Sequence, residues 1–387
     1  MKRSTDRILT THCGSLPRPK DLLDMMKAKI SGQPFDEQAY ARRVRAAVAE
    51  SVRKQVETGI DVPTDGEQGK PGFFTYVNER LTGFTPKPGG RFTMFAAEME
   101  AFPEYYKQYF SQAMLGGSVA PPVPVVCTGP VSYRGQEAVK RDIDNLKAAL
   151  QGLRTEDVFM PAVAPSGVGS NEYYRTEDEY LQAVAEALRV EYQAIVDAGF
   201  VVQIDDPFLT DIYSYSPLSA ADRRKTAERY VEAINHALRG IPADRVRFHT
   251  CYGINEGPRV HDAPLADVLD VMLKVNAGAF SFEAANPRHE HEYHVFEHVK
   301  LREGTVLIPG VITHASNIVE HPELIAERLI RYARLVGREN VIAGADCGFS
   351  SQATYNTEVH PTVVWAKFQA MAEGARLATR QLWGSER

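Results

Sequence analysis

The 387-residue sequence predicts an α/β fold of parallel strands joined by helical crossovers. Two observations carry that expectation. From residue 122 onward short apolar runs alternate regularly with segments of helical period, and the residues able to do chemistry stand at the ends of those runs. Strand ends are where α/β enzymes keep their reactive groups. The length admits one large barrel or two domains and is ample for a sizeable core.

The elements follow in order. Ile8-Leu9-Thr10-Thr11 is a strand that breaks at His12-Cys13-Gly14-Ser15-Leu16-Pro17 into a turn. Helices are expected near 19–31 and 36–58. The second carries Tyr40, Val44, Ala47, Val48, Val52 and Val56 at helical spacing and stops at Gly59. Asp61-Val62-Pro63-Thr64-Asp65-Gly66-Glu67 is the next strand end, with Asp65 and Glu67 at its tip; a turn with solvated carboxylates is the plain alternative. Residues 85–121 form an excursion rich in aromatic residues (Phe92, Phe95, Phe102, Tyr105, Tyr106, Tyr109, Phe110) between Pro/Gly-rich edges. Such an insertion is a lid or a subunit contact, which leaves a homo-oligomer open.

Val123–Cys127 then leads to a helix near 136–152. Val158–Val163 leads to one opened by the capping box Thr176-Glu177-Asp178-Glu179 and closed by Gly199. Further strands are expected at 201–207, 245–248, 279–283, 306–311 and 341–343, with helices near 219–240, 264–275, 322–336 and 361–382. The arginines of Arg245-Val246-Arg247-Phe248 weaken that strand. The strand candidates number nine, one more than an eight-fold barrel needs, so one of them, with the first as the candidate, is expected outside the barrel.

Composition excludes several classes of function. A net charge of −6 with no long basic run gives no nucleic-acid footprint. No apolar stretch approaches the roughly 18 residues needed to span a bilayer, and Met1–Arg7 leads into no signal-peptide core, so a cytoplasmic protein is expected. Four cysteines, Cys13, Cys127, Cys251 and Cys347, do not make a disulfide framework in so long a chain. Burial as a small core residue is the ordinary fate of a free cysteine and is expected for Cys127. Cys251 and Cys347 stand at strand ends beside polar neighbours, where thiolates are useful.

Three strand ends converge on one chemistry. They are His249-Thr250-Cys251, the run Ala279-Phe280-Ser281-Phe282-Glu283, and Asp346-Cys347-Gly348. His249, Cys251, Glu283 and Cys347 make a donor set suited to a tetrahedral zinc ion. Their wide separation means that a preformed scaffold assembles them, as in catalytic sites. Two thiolates, an imidazole and a carboxylate leave such an ion little charge for activating water; it is better suited to binding a substrate thiol as thiolate. The implied reaction is S-alkylation.

These residues resemble the zinc set of the catalytic barrel of the cobalamin-independent methionine synthases, and the related epoxyalkane:coenzyme M transferases share the His-x-Cys and distant Cys pattern. Gly14-Ser15-Leu16-Pro17, Gly66-Glu67, Gln203-Ile204-Asp205-Asp206-Pro207 and Gly310-Val311-Ile312-Thr313-His314 match further motifs of that family, so the resemblance covers nearly the whole chain. It implies a single (β/α)8 TIM barrel over 1–387 with an inserted helical segment at about 85–121. It also implies that Ser15, Glu67 and Asp205 hold an amino acid substrate, that His314 is the general acid, and that the cofactor is Zn2+. Structural pairing is the alternative for Glu67 and Asp205, and a hydrogen-bonded loop position for His314. The acceptor implied is homocysteine, because carboxylates suit its ammonium better than a sulfonate thiol. The methyl or alkyl donor stays open. The family's N-terminal half and its folate-stacking tryptophan have no counterpart here, Gly167-Val168-Gly169-Ser170-Asn171 standing in the tryptophan's neighbourhood. Two other readings stand beside methyl transfer: alkyl transfer to another thiol, and a non-catalytic zinc barrel or methyl-carrier binding protein. His289, His291, His294 and His298 are expected on a solvated helical face, with a second metal site as the sharper alternative.

Overall fold

A computed structural model describes residues 1–87, 95–112, 117–120, 123–214, 218–253 and 256–384. Its strands are β1 (Leu9–Thr10), β2 (Phe84–Pro86), β3 (Val125–Cys127), β4 (Phe159–Val163), β5 (Ser170–Asn171), β6 (Val201–Asp205), β7 (Val246–His249), β8 (Ala279–Phe282), β9 (Val306–Ile312) and β10 (Ile342–Ala345). Seven are parallel neighbours in the order β1-β10-β9-β8-β7-β6-β4. Residues 61–63 bridge the two ends of this sheet: Val62 N donates to Thr10 O at 3.0 Å, and Phe159 N donates to Pro63 O at 3.2 Å. Eight backbone segments therefore ring one interior, the barrel arrangement expected, with helices outside it.

The strand left out is β3, not the first. β3 pairs antiparallel with β2 and parallel with β5 in a separate three-stranded sheet. Its partner β2 lies on the other side of the 85–121 excursion, so β3 closes that excursion and makes no crossover. β1 has only two residues, but both are buried and paired to β10.

The helices match their predicted spans closely. Glu37–Glu57 is capped by Asp36, whose carboxylate accepts from Gln38 N and Ala39 N at 2.9 and 3.0 Å. Thr176 accepts from Glu179 N at 3.1 Å at the head of Glu177–Asp197. The return arm of that capping box runs to Arg175 N, one residue earlier than the motif predicts. Ile325 and Leu329 of Pro322–Val336 and Phe368 and Met371 of Pro361–Trp383 are fully buried. Each such side chain contributes about 1.5–3 kcal/mol through burial.

Arg247 shows why β7 holds despite its charges. Its side chain points into the barrel, 1% exposed, donating to Thr11 Oγ1 at 3.0 Å and His12 O at 2.5 Å with its guanidinium 3.8 Å from the Phe159 ring centroid. Burial lowers its pKa to about 10. Arg245 stays outside, so the alternating pattern was that of a strand with a polar interior.

The excursion contains the helices Ala96–Ala101 and Pro103–Gln112; Phe92, Gly89, Gly90 and Gly116 lie outside the described residues. It packs on the loops that follow β7 and β10. Glu98 accepts from His261 N at 2.6 Å, the Tyr109 hydroxyl donates to Glu358, and a Cβ on Gly253 would lie 2.6 Å from the Phe95 ring.

The histidine stretch departs from expectation. Glu290–Glu297 is a 3-10 helix, and His289 and Glu292 are buried, so the segment is not a solvated α-helical face. His289 bonds Glu292 at 2.8 Å and Asp262 at 3.1 Å, and its ring stacks on Tyr252 with centroids 3.9 Å apart. Pairing with buried carboxylates offsets the cost of placing an imidazole there; burial lowers its pKa, but Asp262 and Glu292 outweigh that and raise it to about 9. His291 and His294 are exposed.

Candidate metal centre and the adjoining cavity

Register fixes which side chains meet. Asp205 on β6 lies opposite His249 on β7, and His249 lies opposite Ser281 on β8, so these three sit at one level of the barrel's C-terminal rim. Between β9 and β10 the register shifts at Gly344/Ala345, which re-aims the chain leading into Asp346 and Cys347. Gly310 makes that shift possible, since a Cβ there would sit 1.9 Å from Asp346 Oδ1.

His249, Cys251 and Cys347 come together, with their potential ligand atoms all within 4.8 Å of one another and all three residues buried. The Cys347 and Cys251 sulfurs are 3.1 Å apart. The Cys347 thiol donates to Cys251; that bond and His249 lower the Cys251 pKa to about 6 despite its burial, while Cys347 is pushed up. One ring nitrogen of His249, Nδ1, is 3.3 Å from Ser281 Oγ and 3.7 Å from Cys13 Sγ. The other, Nε2, is buried with no hydrogen-bond partner. An orphaned imidazole nitrogen beside two thiols that share a proton fits a soft or borderline cation.

Glu283 does not join that group. Its carboxylate accepts from Arg259 Nη1 at 3.0 and 3.3 Å, from Tyr252 N at 2.9 Å and from Asn286 Nδ2 at 3.3 Å. It lies instead in a second cluster with His314 and Asp346. Burial would raise its pKa, but Arg259, His314 and His289 outweigh that and hold it below the ordinary value.

Ser15, Glu67 and Asp205 line the same cavity as His249, Cys251 and Cys347. Phe73 and Phe74 make its apolar wall. Asp205 accepts from Gln203 Nε2 at 2.7 Å, and burial pushes its pKa up to about 7. Glu67 stands at φ +54° with Oε2 unpartnered, and burial raises it too. Its backbone is held at both ends: its N–H donates to Asp65 Oδ1 at 2.9 Å, and its carbonyl accepts from Arg18 at 2.9 Å. Two carboxylates with spare acceptor capacity in one buried cavity suit a cationic ligand. Ser15 Oγ is 3.3 Å from Ser351 Oγ, and a Cβ on Gly348 would meet it at 2.0 Å.

His314 is buried behind this cavity. It lines a neighbouring one that shares Gly348, Ser351 and Gln352 with the first. Its Nε2 is 3.1 Å from Gly253 O and donates to it, while Nδ1 has no partner. Burial lowers its pKa to about 4, so the resting imidazole is neutral.

Three residues at the site were not singled out by sequence: Cys13 and Ser281 against His249, and Arg259 on Glu283. Asp346 was read only as part of a motif. Its Oδ1 accepts from Ala284 N and Ala285 N, both at 2.8 Å, pinning the loop beyond Glu283. Cys13 and Ser281 do lie within the motif segments; nothing in the pattern marks Arg259.

The model of the cobalamin-independent synthase catalytic domain matches residues 8–153 and 162–367. The chain belongs to this family. Within it, the chain is 24% identical over 379 residues to a methionine synthase of Thermococcus kodakarensis, covering 96% of this chain and 94% of that protein. It is 27% identical over 345 residues to a 5-methyltetrahydropteroyltriglutamate–homocysteine methyltransferase of Streptomyces avermitilis, covering 89% of this chain but 39% of that longer protein. A B12-independent methionine synthase from Shewanella, solved with selenomethionine, superposes with a TM-score of 0.70 at 18% identity, covering 98% of this chain and all of the other. A putative vitamin-B12-independent methionine synthase from Listeria monocytogenes gives 0.68 at 20% identity with the same coverage. These two family structures share the fold described above. Among the described residues no helix is long and apolar enough to cross a membrane.

Proposed function

We propose that the chain is a zinc-dependent S-methyltransferase that methylates homocysteine from a folate or other donor. The observation that carries this reading is the shared cavity, which a His-Cys-Cys donor set and two buried carboxylates line together. His249, Cys251 and Cys347 would hold the zinc. Bound there, the ion lowers the pKa of a substrate thiol while leaving it nucleophilic.

The chain's own residues supply the rest. Glu67 and Asp205 pair with the substrate ammonium, and Ser15 takes its carboxylate. Phe73 and Phe74 exclude water from the reacting sulfur. His314, neutral at rest with a free Nδ1, takes a proton from solvent and passes it to the donor's leaving atom as the thiolate attacks. An imidazole with so low a pKa is a strong acid once protonated, which suits delivery. In keeping with this role as general acid, it lies in a cavity contiguous with the thiol cavity.

The carboxylates favour an amino acid acceptor over a sulfonate thiol. The missing stacking tryptophan leaves the donor as the variable half. The test is a mass-spectrometric screen of homocysteine, coenzyme M and glutathione against methyl and epoxide donors. Methylated homocysteine is the expected product, and alkylation of coenzyme M alone would replace this reading with the epoxide-opening one.

A further inference from the structure

We propose that Gln352 is a further substrate-binding residue, whose side-chain oxygen accepts one N–H of the amino acid's ammonium beside Glu67 and Asp205. This rests on the homocysteine reading above. Gln352 is 4% exposed and lines the cavity that also holds Ser15, Glu67, Asp205 and the cysteine pair. Among the described residues lining that cavity, two buried side-chain oxygens have no hydrogen-bond partner. One is Glu67 Oε2, already assigned to the ammonium; the other is Gln352 Oε1.

The chain around this oxygen is fixed. Phe73 N donates to Ser351 O and Ala353 N to Pro71 O, both at 2.9 Å, and Ser350 Oγ donates to Gln352 O at 3.2 Å. Between these bonds Gly72 bridges Gln352 in antiparallel fashion, and a Cβ on Gly72 would lie 2.1 Å from Gln352 Oε1. Gly72 thus leaves room for the amide oxygen. The guanidinium of buried Arg18 donates to Glu67 O and to Ser350 O, each at 2.9 Å. The loops that carry Glu67 and Gln352 are thereby held in one relation to each other.

The count of donors and acceptors gives that oxygen its partner. An ammonium presents three N–H groups and no acceptor. Glu67 and Asp205 neutralise it and take two of the three. A third carboxylate would add negative charge to a buried site that already holds two, whereas a neutral carboxamide takes the remaining N–H without adding charge. The substrate's carboxylate, turned to Ser15, has no hydrogen to give, and its thiolate has none either. Gln352 therefore reads the ammonium and helps the site select an amino acid over a thiol that lacks one.

Binding of homocysteine and of 4-sulfanylbutanoate, its counterpart without the amino group, to the zinc-loaded full chain tests this. Gln352→Met, an unbranched side chain of similar length, is expected to weaken homocysteine about tenfold, as loss of a hydrogen bond to a charged group does, and to leave 4-sulfanylbutanoate nearly unchanged. Gln352→Glu, which keeps an acceptor in place, is expected to retain the preference for homocysteine. Equal weakening of both thiols by Gln352→Met overturns the proposal, since it marks a residue that only shapes the cavity. So does a preference for homocysteine that falls by less than about fivefold, or a change confined to the KM of the methyl donor. A Gln352→Glu protein that loses the preference as the methionine variant does overturns it too. Gln352→Leu gives the same reading should the methionine variant fail to fold. If the wild type binds homocysteine no more tightly than 4-sulfanylbutanoate, the acceptor reading itself fails; a clear wild-type preference that Gln352→Met retains sinks only the role given to Gln352.

Discussion

The sulfurs of Cys251 and Cys347, 96 positions apart in sequence, lie 3.1 Å from each other at the ends of β7 and β10. Neither can be replaced by a hard oxygen donor without loss of the soft character that selects zinc. Cys251→Ser and Cys347→Ser are each expected to weaken zinc binding by at least about 100-fold, beyond the range for second-sphere changes. Metal analysis after dialysis against a chelator checks this, and full metal retention in either variant would remove the centre from its proposed place.

Burial raises Asp205 to about 7 and lifts Glu67 above the ordinary carboxylate range. A bound ammonium favours their ionised forms, so homocysteine binding is expected to release protons and to tighten by up to about tenfold per unit as pH rises through 7, levelling above it. Calorimetry in buffers of different ionisation enthalpy reads the protons directly. Asp205→Asn is expected to remove the part of that pH dependence centred near 7, leaving Glu67's part, and to weaken binding by about 2–5 kcal/mol, with zinc content unchanged.

His12 is fully buried with a pKa lowered to about 3, chiefly by burial; Nε2 donates to Gln55 Oε1 at 2.8 Å and Nδ1 accepts from Gly14 N at 3.2 Å. The folded protein holds it neutral, and the unfolded chain protonates it below about 6.5. Its contribution is therefore complete above pH 6.5 and is lost as the pH falls from there towards 3. Between pH 6.5 and 5 this group alone is expected to withdraw about 2 kcal/mol. Urea denaturation at the two pH values, compared with His12→Gln, isolates the effect; an equal pH dependence in the variant would contradict it.

Lys367 reaches Glu320 at 2.8 and 3.0 Å with both side chains buried, and Glu320 also accepts from Thr313 N at 2.8 Å, the residue before His314. Lys367→Met leaves that carboxylate buried without its cation, at a cost of about 3–5 kcal/mol. Because the same carboxylate steadies the His314 loop, kcat is expected to fall more than zinc affinity. Equal losses in both would point to general unfolding.

Much of this architecture is legible in the sequence, for physical reasons that also mark the limits. Strand ends such as His249-Thr250-Cys251 and Asp346-Cys347-Gly348 can be read because apolar runs and polar tips alternate along the chain. Six of the eight singled-out residues line one cavity. What sequence does not carry is the choice of partner across space. The place of β3 outside the barrel depends on its pairing with β2. Arg247 reads as a weakness in its strand until Phe159 and the His12 carbonyl are seen beside it. His289 reads as surface until Asp262, 27 positions away, is found bonded to it. Glu283 is legible as a carboxylate at a strand end, whereas its contact with Arg259, 24 positions away, is not.

X-ray absorption on the zinc-loaded protein, with and without homocysteine, tests the central claim most directly. The account predicts two sulfur donors and one imidazole in the free protein and a third sulfur when the thiol is added. A first shell that is unchanged by homocysteine would contradict it and leave the zinc a structural ion.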